Sequence, residues 1–349
     1  MKIIRDKVIL NLYETVNERR SSPCGYYPHI AGDRAYWQLS HPTKVAYAIK
    51  NENNYEKPSH NITLNNSLAA TNFRVFLDTN PKVPEDERYK ALGGSHQGKS
   101  HQMLTNCDIS KKLEMISLQD HVWPEMTRLL FKNDFYHPCH ANGLYIFKSK
   151  DGIKWEEYYK KPILNAFTEC EGEEIYFSDD SLPNIFYDHN VDEYILYARC
   201  NIKLGVRHIL YTKSKDLINW DKPRLINKNP NFDMEHENLY FMQAMPLPDT
   251  KKYIAFVPHF RNDIMSADGS KRRYYDTKTL VMISDNRVDW RVIDEIFTEP
   301  YSAHMRQRHI TNCIKEGNIL ALYVAEGRYT SNIKLVRYEA DVEEIKSLL

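Results

Sequence analysis

The sequence lacks the features that would tie it to a membrane or to a metal- or thiol-based fold. No run of 18 apolar residues occurs in its 349 residues, and the first residues form no continuous apolar segment. The 6 cysteines lie far apart and none belongs to a C-x-x-C pair, which argues against a zinc ribbon or a dithiol redox site. We therefore expect a cytoplasmic or otherwise leaderless soluble protein with reduced thiols and no membrane partner.

The chain also has no formal net charge at pH 7, because 47 Lys and Arg residues balance 47 Asp and Glu residues. A chain without a positive field does not attract nucleic acid, so we expect no nucleic-acid partner. The phosphate-binding patterns G-x-x-x-x-G-K-[ST] and G-x-G-x-x-G and the nucleophile pattern G-x-S-x-G are missing, and no cofactor is expected. The histidines of residues 95–141, such as His137 and His140, match no standard metal-ligand spacing, so no metal is expected.

What the chain does contain is a repeated segment. Residues 144–155, 209–220 and 280–290 each read as an apolar strand, a turn containing serine and aspartate, and a tryptophan. Trp155, Trp220 and Trp290 are separated by 65 and 70 residues, a period that suits a four-stranded sheet with its loops. Division of the chain length by this period gives about five units.

Short β-rich runs bounded by turn residues fill the intervals, for example residues 184–188, 193–199, 252–257 and 319–325. Residues 33–39 and 44–49 read as strands of the first unit, with Asp33 in a hairpin turn. Sheets repeated around an axis protect their strand edges. The sequence therefore predicts an all-β fold, a five-bladed β-propeller with four-stranded antiparallel blades around a central funnel. We expect one domain over residues 1–349, an insertion in the second blade at about 95–141, and tryptophans that pack one blade against the next.

Several stretches carry a family resemblance. The strongest reads NFRVFLDTNP from Asn72, followed by PEDERYKALGG from Pro84, and further stretches follow in order to Tyr338. Together they resemble a family of five-bladed propellers related to the glycoside hydrolases that act on fructans, arabinans and xylans. The resemblance implies a glycosidase-like enzyme with an oligosaccharide or polysaccharide partner.

Hydrolysis of a glycosidic bond needs two carboxyl groups on opposite sides of the bond. The innermost strand of each blade points into the funnel, so the catalytic residues should begin such strands. Asp180 and Glu237 begin the third and fourth units and are predicted to be the pair. Asp78 is a third catalytic candidate, although its Asp-Thr-Asn-Pro context also fits a structural turn.

Sugar binding needs planar hydrogen-bonding groups and flat apolar faces, and such residues follow strand edges in the matching stretches. Arginine holds a carboxylate or sulfate through two parallel contacts, so an anionic glycan is one option for the partner. The predicted substrate-binding residues are Asn72, Arg199, Arg207, Tyr240, Gln243, His259, Arg306 and His309.

Two departures from the family pattern leave alternatives open. Leu182 and Pro183 stand where the family has two amide side chains, and the first unit has no recognisable catalytic aspartate. These departures motivate a propeller that binds glycan without cleaving it. A glycoside phosphorylase is a further alternative, with Arg306 and His309 holding phosphate.

Overall fold

The structure is a computed structural model of the chain. It describes residues 1–12, 26–40, 44–52, 54–65, 73–94, 143–165, 167–170, 173–177, 181–201, 206–227, 232–233, 236–261, 278–298, 308–327 and 333–349. Within these ranges the regular structure is almost entirely antiparallel β, arranged in five sheets. The predicted insertion at about 95–141 lies outside the described residues.

The five sheets follow one another along the chain, and we number their strands in chain order. The first sheet contains β2 (Tyr26–Ala31), β3 (Arg34–Ser40), β4 (Lys44–Asn51), β5 (Asn54–Glu56) and β6 (Ile62–Asn65). The second sheet contains β7 (Arg74–Leu77), β8 (Tyr89–Gly94), β9 (Gly143–Ser149), β10 (Glu156–Glu157) and β11 (Leu164–Asn165). The third sheet contains β12 (Phe167–Cys170), β13 (Glu173–Phe177), β14 (Asn184–Asp188), β15 (Glu193–Asn201), β16 (Arg207–Ser214) and β17 (Arg224–Leu225).

The fourth sheet contains β18 (Glu237–Leu239), β19 (Gln243–Pro246), β20 (Tyr253–Arg261), β21 (Lys278–Ser284) and β22 (Trp290–Ile296). Its inner edge is divided, because β18 and β19 pair with different parts of β20. The fifth sheet contains β23 (His309–Glu316), β24 (Ile319–Glu326), β25 (Lys334–Asp341) and β1 (Ile3–Asn11). A short helix, α1 (Val342–Lys346), follows β25 and is capped by the Asp341 side chain, which accepts from the Glu344 amide.

The sheets form a closed ring. Strands β2, β7, β14, β19 and β23 lie at the inner edges of the five sheets, and each contacts the next in this order, with β23 returning to β2. This arrangement is a five-bladed β-propeller, so the predicted fold is confirmed. The first and last strands of the chain close the ring, because β1 pairs antiparallel with β25 as the outermost strand of the fifth sheet. The sequence analysis did not anticipate this closure.

Apolar clusters fill the space between neighbouring sheets. One cluster joins the third and fourth sheets through residues such as Tyr197 and Val257, and another joins the fourth and fifth through Phe256 and Leu322. Strand β20 is buried on both faces, which explains why its sequence reads as an almost continuous apolar run rather than an alternating one. Among the described residues, no helix has both the length and the apolar character needed to cross a bilayer.

The repeated segment is a turn between the third and fourth strands of a blade. In each copy a strand-ending serine, Ser149, Ser214 or Ser284, bonds the Asp or Asn two residues later. In the second sheet, the Asp151 carboxylate accepts from the amides of residues 153 and 154. Gly152, which lies between Asp151 and residue 153, has a positive φ of 67°, a conformation that glycine adopts without strain. Because these hydrogen bonds join residues close together in the chain, the turn can be recognised from its sequence pattern.

The repeated tryptophans pack against the preceding blade, as predicted. The Trp155 ring contacts Tyr36 of the first sheet with centroids 6.5 Å apart, and its Nε1 donates to the Thr63 hydroxyl at 2.9 Å. The Trp290 ring lies 6.0 Å from the Tyr197 ring of the third sheet. These contacts fix the angle between blades and leave the inner strand ends to form the site.

Candidate functional site

A buried arginine ties three blades together where the innermost strands begin. Arg74 is the first residue of β7, and its Nη1 donates to the Thr311 carbonyl of the fifth sheet at 2.8 Å. Its Nη2 donates to Gln243 Oε1 of the fourth sheet at 3.2 Å. Burial lowers the pKa of Arg74 to about 9, so the side chain stays cationic at neutral pH. The propeller axis therefore carries a positive charge at this end.

His29 of the first sheet lies beside this arginine. The Val75 amide donates to His29 Nε2 at 3.0 Å, and His29 Nδ1 lies 3.0 Å from the Tyr27 carbonyl. These partners assign the proton to Nδ1 and the acceptor role to Nε2. Burial, with a smaller contribution from the Arg74 charge, lowers the pKa of His29 to about 3. His29 is consequently neutral at physiological pH.

Amide and hydroxyl side chains complete this polar group. Asn312 Oδ1 accepts from the Ile30 amide at 2.8 Å, and Asn312 Nδ2 donates to the Ile30 carbonyl at 3.0 Å. The Asn184 side chain similarly accepts from the Ala244 amide at 2.9 Å, which joins the third and fourth sheets. We call His29, Arg74, Gln243, Thr311 and Asn312 the axial polar cluster.

Aromatic rings pack at the same end of the strands. Tyr27, Leu182, Tyr240, Phe241 and Phe260 form one buried cluster drawn from the first, third and fourth blades. His309 of β23 joins it, with its ring 6.2 Å from Tyr240 and 5.4 Å from Phe241. Tyr27 has a φ of 47°, an uncommon conformation for a bulky residue, next to a register shift in β2. This strain directs the Tyr27 ring into the cluster.

Two of the predicted substrate-binding arginines flank one tyrosine ring. The guanidinium carbons of Arg199 and Arg207 lie 5.0 Å and 6.0 Å from the centre of the Tyr240 ring. Arg207 also lies 5.5 Å from the Phe260 ring, and its amide donates to Asn238 Oδ1 at 2.9 Å. Contacts at these distances are cation–π interactions. The structure thus brings Arg199, Arg207 and Tyr240 together with the predicted binding residue His309.

Glu237 belongs to a half-buried charged group at the inner edge of the fourth sheet. Its Oε1 accepts from Arg261 Nη1 at 3.0 Å, and its Oε2 lies 3.6 Å from His259 Nε2. The same arginine donates from Nη2 to Asp233 at 3.0 Å. The Phe232 ring contacts the His259 ring with centroids 5.8 Å apart. Glu237 and the predicted binding residue His259 are therefore neighbours, and Arg261 forms an ion pair with the glutamate.

Asp78 lies elsewhere. It follows the last residue of β7, whereas Arg74 begins that strand, and four strand residues span about 13 Å. Its buried carboxylate forms an ion pair with Lys90 at 3.3 Å and accepts from the Tyr194 hydroxyl at 3.0 Å. Asn80 donates its amide to the same carboxylate. The structure does not bring Asp78 together with the other candidates.

The third sheet repeats the Asp78 arrangement. Asp188 ends β14, accepts from the Asn190 amide at 3.0 Å, and accepts from the Tyr253 hydroxyl of the next blade at 2.6 Å. Each aspartate thus lies at the end of an inner strand and bonds a tyrosine near the start of the second strand of the next blade. A repeated contact of this kind indicates that Asp78 joins blades, and we do not carry its catalytic assignment further.

Three predicted residues lie outside the described part of the chain. Asp180, Asn72 and Arg306 stay predictions, and only their described neighbours have a place in the structure. Ser181 and Leu182 follow Asp180, and Leu182 belongs to the aromatic cluster. Arg74 and His29 were not among the predicted site residues. The sequence feature that marks Arg74 is its position as a charged residue within the apolar run of residues 73–77.

Comparison with known proteins supports the fold. No protein-family model matches the chain, and no curated protein sequence matches it. Among solved structures it resembles an N-acetylgalactosamine deacetylase from F. plautii in complex with blood group B trisaccharide, with a TM-score of 0.54 and 12% identity over 99% of this chain and 98% of the other. A Bombyx mori GH32 β-fructofuranosidase matches with a TM-score of 0.51 and 13% identity over 91% of this chain and 60% of the enzyme.

An exo-β-1,3-galactanase from Phanerochaete chrysosporium, solved with β-1,3-galactotriose, gives a TM-score of 0.50 and 8% identity over 98% of this chain and 65% of the enzyme. At such low identities the similarity establishes the architecture alone. The chain is a five-bladed β-propeller, and its structural neighbours include glycoside hydrolases built on that fold.

Proposed function

We propose that this propeller is a glycosidase-like enzyme that holds an oligosaccharide at the end of the axis where the innermost strands begin. The observation that carries the proposal is that Arg207, Tyr240 and His309, from three different blades, lie together at this end. Glu237 begins the short strand that precedes Tyr240. Flat aromatic faces with a few placed polar groups are the usual lining of a small-molecule site. The aspartates at the opposite strand ends are already occupied by structural contacts.

The proposed catalytic pair is Glu237 and Asp180. Arg261 donates to the Glu237 carboxylate at 3.0 Å and His259 Nε2 lies 3.6 Å from it, so we assign Glu237 the role of the carboxylate that attacks the sugar or activates water. Asp180 would then protonate the leaving oxygen, as the acid of such a pair does. The assignment of Asp180 rests on the sequence resemblance and on its position just before the third inner strand.

The proposed substrate is a glycan with an acidic group. Two arginines flank the Tyr240 ring, and their charge favours a carboxylate or sulfate on the sugar. Two structural neighbours were solved with a trisaccharide and with galactotriose, which supports an oligosaccharide as the ligand of this architecture. Uronate-containing and sulfated polysaccharides are therefore the first substrates to test.

The test is release of reducing sugar from a panel of acidic and neutral polysaccharides, measured with and without phosphate. We expect Glu237→Gln and Asp180→Asn each to lower turnover at least 100-fold on any substrate that the wild type cleaves. Glu295→Gln is the matched control, because Glu295 is an exposed residue of the outermost strand of the same sheet and should leave turnover unchanged. Wild-type turnover in both catalytic variants would reject the assignment, and an absolute phosphate requirement would indicate a phosphorylase.

A non-catalytic glycan-binding propeller is the second candidate. The observation in its favour is that Arg261 bonds Glu237 and Asp233 together, an arrangement that also serves a purely structural ion network. Titration calorimetry distinguishes the two functions. Heat of binding to a glycan without any product in the same sample would support the binding module, and product formation would exclude it.

A further inference from the structure

Buried nitrogen donors without hydrogen-bond acceptors occur in the blades around the axial polar cluster. Within the described part of the chain, Arg74 Nε, Gln243 Nε2 and Arg207 Nε have no hydrogen-bond partner. These residues are 4%, 2% and 7% exposed, so bulk water does not replace the missing acceptors. A buried donor that lacks an acceptor destabilises a fold, because its hydrogen bond to water is lost and not replaced. Arg74 and Gln243, which bond each other, therefore call for an additional acceptor.

The geometry of Arg74 and Gln243 defines where the acceptor belongs. Arg74 Nη2 donates to Gln243 Oε1, which fixes the orientation of the amide. Both N–H groups of Gln243 Nε2 then remain without an acceptor among the described residues. Nε and Nη2 form one edge of the guanidinium, the edge that grips a carboxylate in a two-point contact. The Nε of this edge has no acceptor among the described residues. The two unsatisfied donors therefore belong to two side chains that are hydrogen-bonded to each other.

The charge at this position is positive, and no described carboxylate is paired with it. Among the described residues Arg74 forms no ion pair with a carboxylate, and its partners are the Thr311 carbonyl and two amide oxygens. His29 is neutral and adds no charge of either sign. The Asn312 oxygen already accepts from the Ile30 amide. A cation would meet donors and an arginine here, whereas an anion would meet the groups that it requires.

We propose that Arg74 Nε and Gln243 Nε2 form a binding position for a small monovalent anion at the start of the innermost strands. The ligand chemistry is a compact acceptor with a single negative charge, which either a free halide or the carboxylate of an acidic sugar provides. An anion bound at this position neutralises the charge of Arg74, the buried residue that links the second, fourth and fifth blades. Binding of a free halide does not rest on the proposed function, whereas binding of a sugar carboxylate does, and anion binding can be measured without turnover.

The test is the thermal stability of the full-length protein as sodium bromide replaces sodium isethionate, a bulky sulfonate, at constant ionic strength. A ligand at about 100 times its Kd should raise the Tm by roughly 4 °C, and the Tm should continue to rise with the logarithm of the bromide concentration. Sodium galacturonate and galactose, added in the absence of halide, distinguish the sources. Stabilisation by both bromide and galacturonate indicates a carboxylate-accepting site, stabilisation by bromide alone indicates a free-anion site, and galactose should have no effect.

The decisive variant is Gln243→Glu, which supplies a carboxylate to Arg74 from the protein itself. We expect this variant to fold and to lose the bromide response, whereas Arg291→Gln, which removes an exposed arginine of β22, should keep it. Equal bromide responses in the wild type and in Gln243→Glu would overturn the proposal, as would a wild type whose Tm does not rise when bromide replaces isethionate.

A crystal of the wild-type protein soaked in sodium bromide provides a second readout that does not depend on a variant folding. Anomalous density within hydrogen-bonding distance of Arg74 Nε is expected. Density for an ordered water at that position, with bromide only elsewhere, would refute the anion site.

Discussion

His29 should make the propeller labile to acid, and a single substitution should remove part of that lability. The native fold holds this imidazole neutral, because Nε2 accepts from the Val75 amide and Nδ1 is occupied by the Tyr27 carbonyl. Burial, together with the nearby Arg74 charge, lowers its pKa to about 3, whereas the unfolded chain has a pKa near 6.5. Between these values the unfolded state binds the extra proton. Stability is therefore fully present above pH 6.5 and is lost as the pH falls.

The size of the effect follows from the two pKa values. At pH 4.5 the unfolded histidine lies two pH units below its pKa, and the folded histidine is still neutral. Each unit is worth about 1.36 kcal/mol, so this residue alone lowers the free energy of unfolding by about 2.7 kcal/mol between pH 8 and pH 4.5. Because pH 4.5 is well above the pKa of His29 in the folded protein, the predicted loss of stability depends mainly on the pKa of this histidine in the unfolded chain.

Urea unfolding of the wild type and of His29→Gln at both pH values is the appropriate assay. Glutamine keeps one donor and one acceptor near the positions of the ring nitrogens but does not titrate. Between pH 8 and pH 4.5, the free energy of unfolding of the wild type should fall by about 2.7 kcal/mol more than that of the variant. The contributions of the other ionisable groups are the same in both proteins and cancel in this comparison. Equal losses in the two proteins would refute the assignment of a buried neutral histidine at the axis.

Three further predictions follow from other parts of the structure. Lys90→Met should lower the free energy of unfolding by about 3 to 5 kcal/mol, because it leaves the buried Asp78 carboxylate without its cation, and a loss below 1 kcal/mol in urea unfolding would contradict the ion pair. Tyr253→Phe should cost about 1 to 3 kcal/mol in the same assay by removing the donor to buried Asp188, and an unchanged midpoint would exclude that contact. Deletion of residues 2–11 should expose the outer edge of the fifth sheet, lower the Tm and promote self-association in light scattering, whereas an unaltered monomer would show that ring closure does not need this strand.

The fold was predictable because its repeated turn is local. Side chain to backbone bonds around Ser149 and Asp151 lie within a few residues of each other, so the turn leaves a readable pattern in each copy. The closing strand β1 was not predictable in this way. Its partners are residues 334–340 at the other end of the chain, and nothing in residues 3–11 specifies that pairing locally.

The candidate site was predictable only in part, and for a related reason. Arg199, Arg207 and Tyr240 were predicted from their residue types, and the structure places both guanidinium groups against the Tyr240 ring. Arg74 was missed because its role depends on which blades meet at the axis.

Asp78 illustrates the opposite case. Its Asp-Thr-Asn-Pro context had two interpretations, and the bond from the Asn80 amide to its carboxylate supports the structural turn.

The central claim is that the functional end of the propeller is the one where the innermost strands begin. A crystal structure of Glu237→Gln with an acidic oligosaccharide tests it most directly. We predict sugar density in contact with Arg207 and Tyr240. Density confined to the opposite end, beside the turns that carry Asp78 and Asp188, would contradict the account.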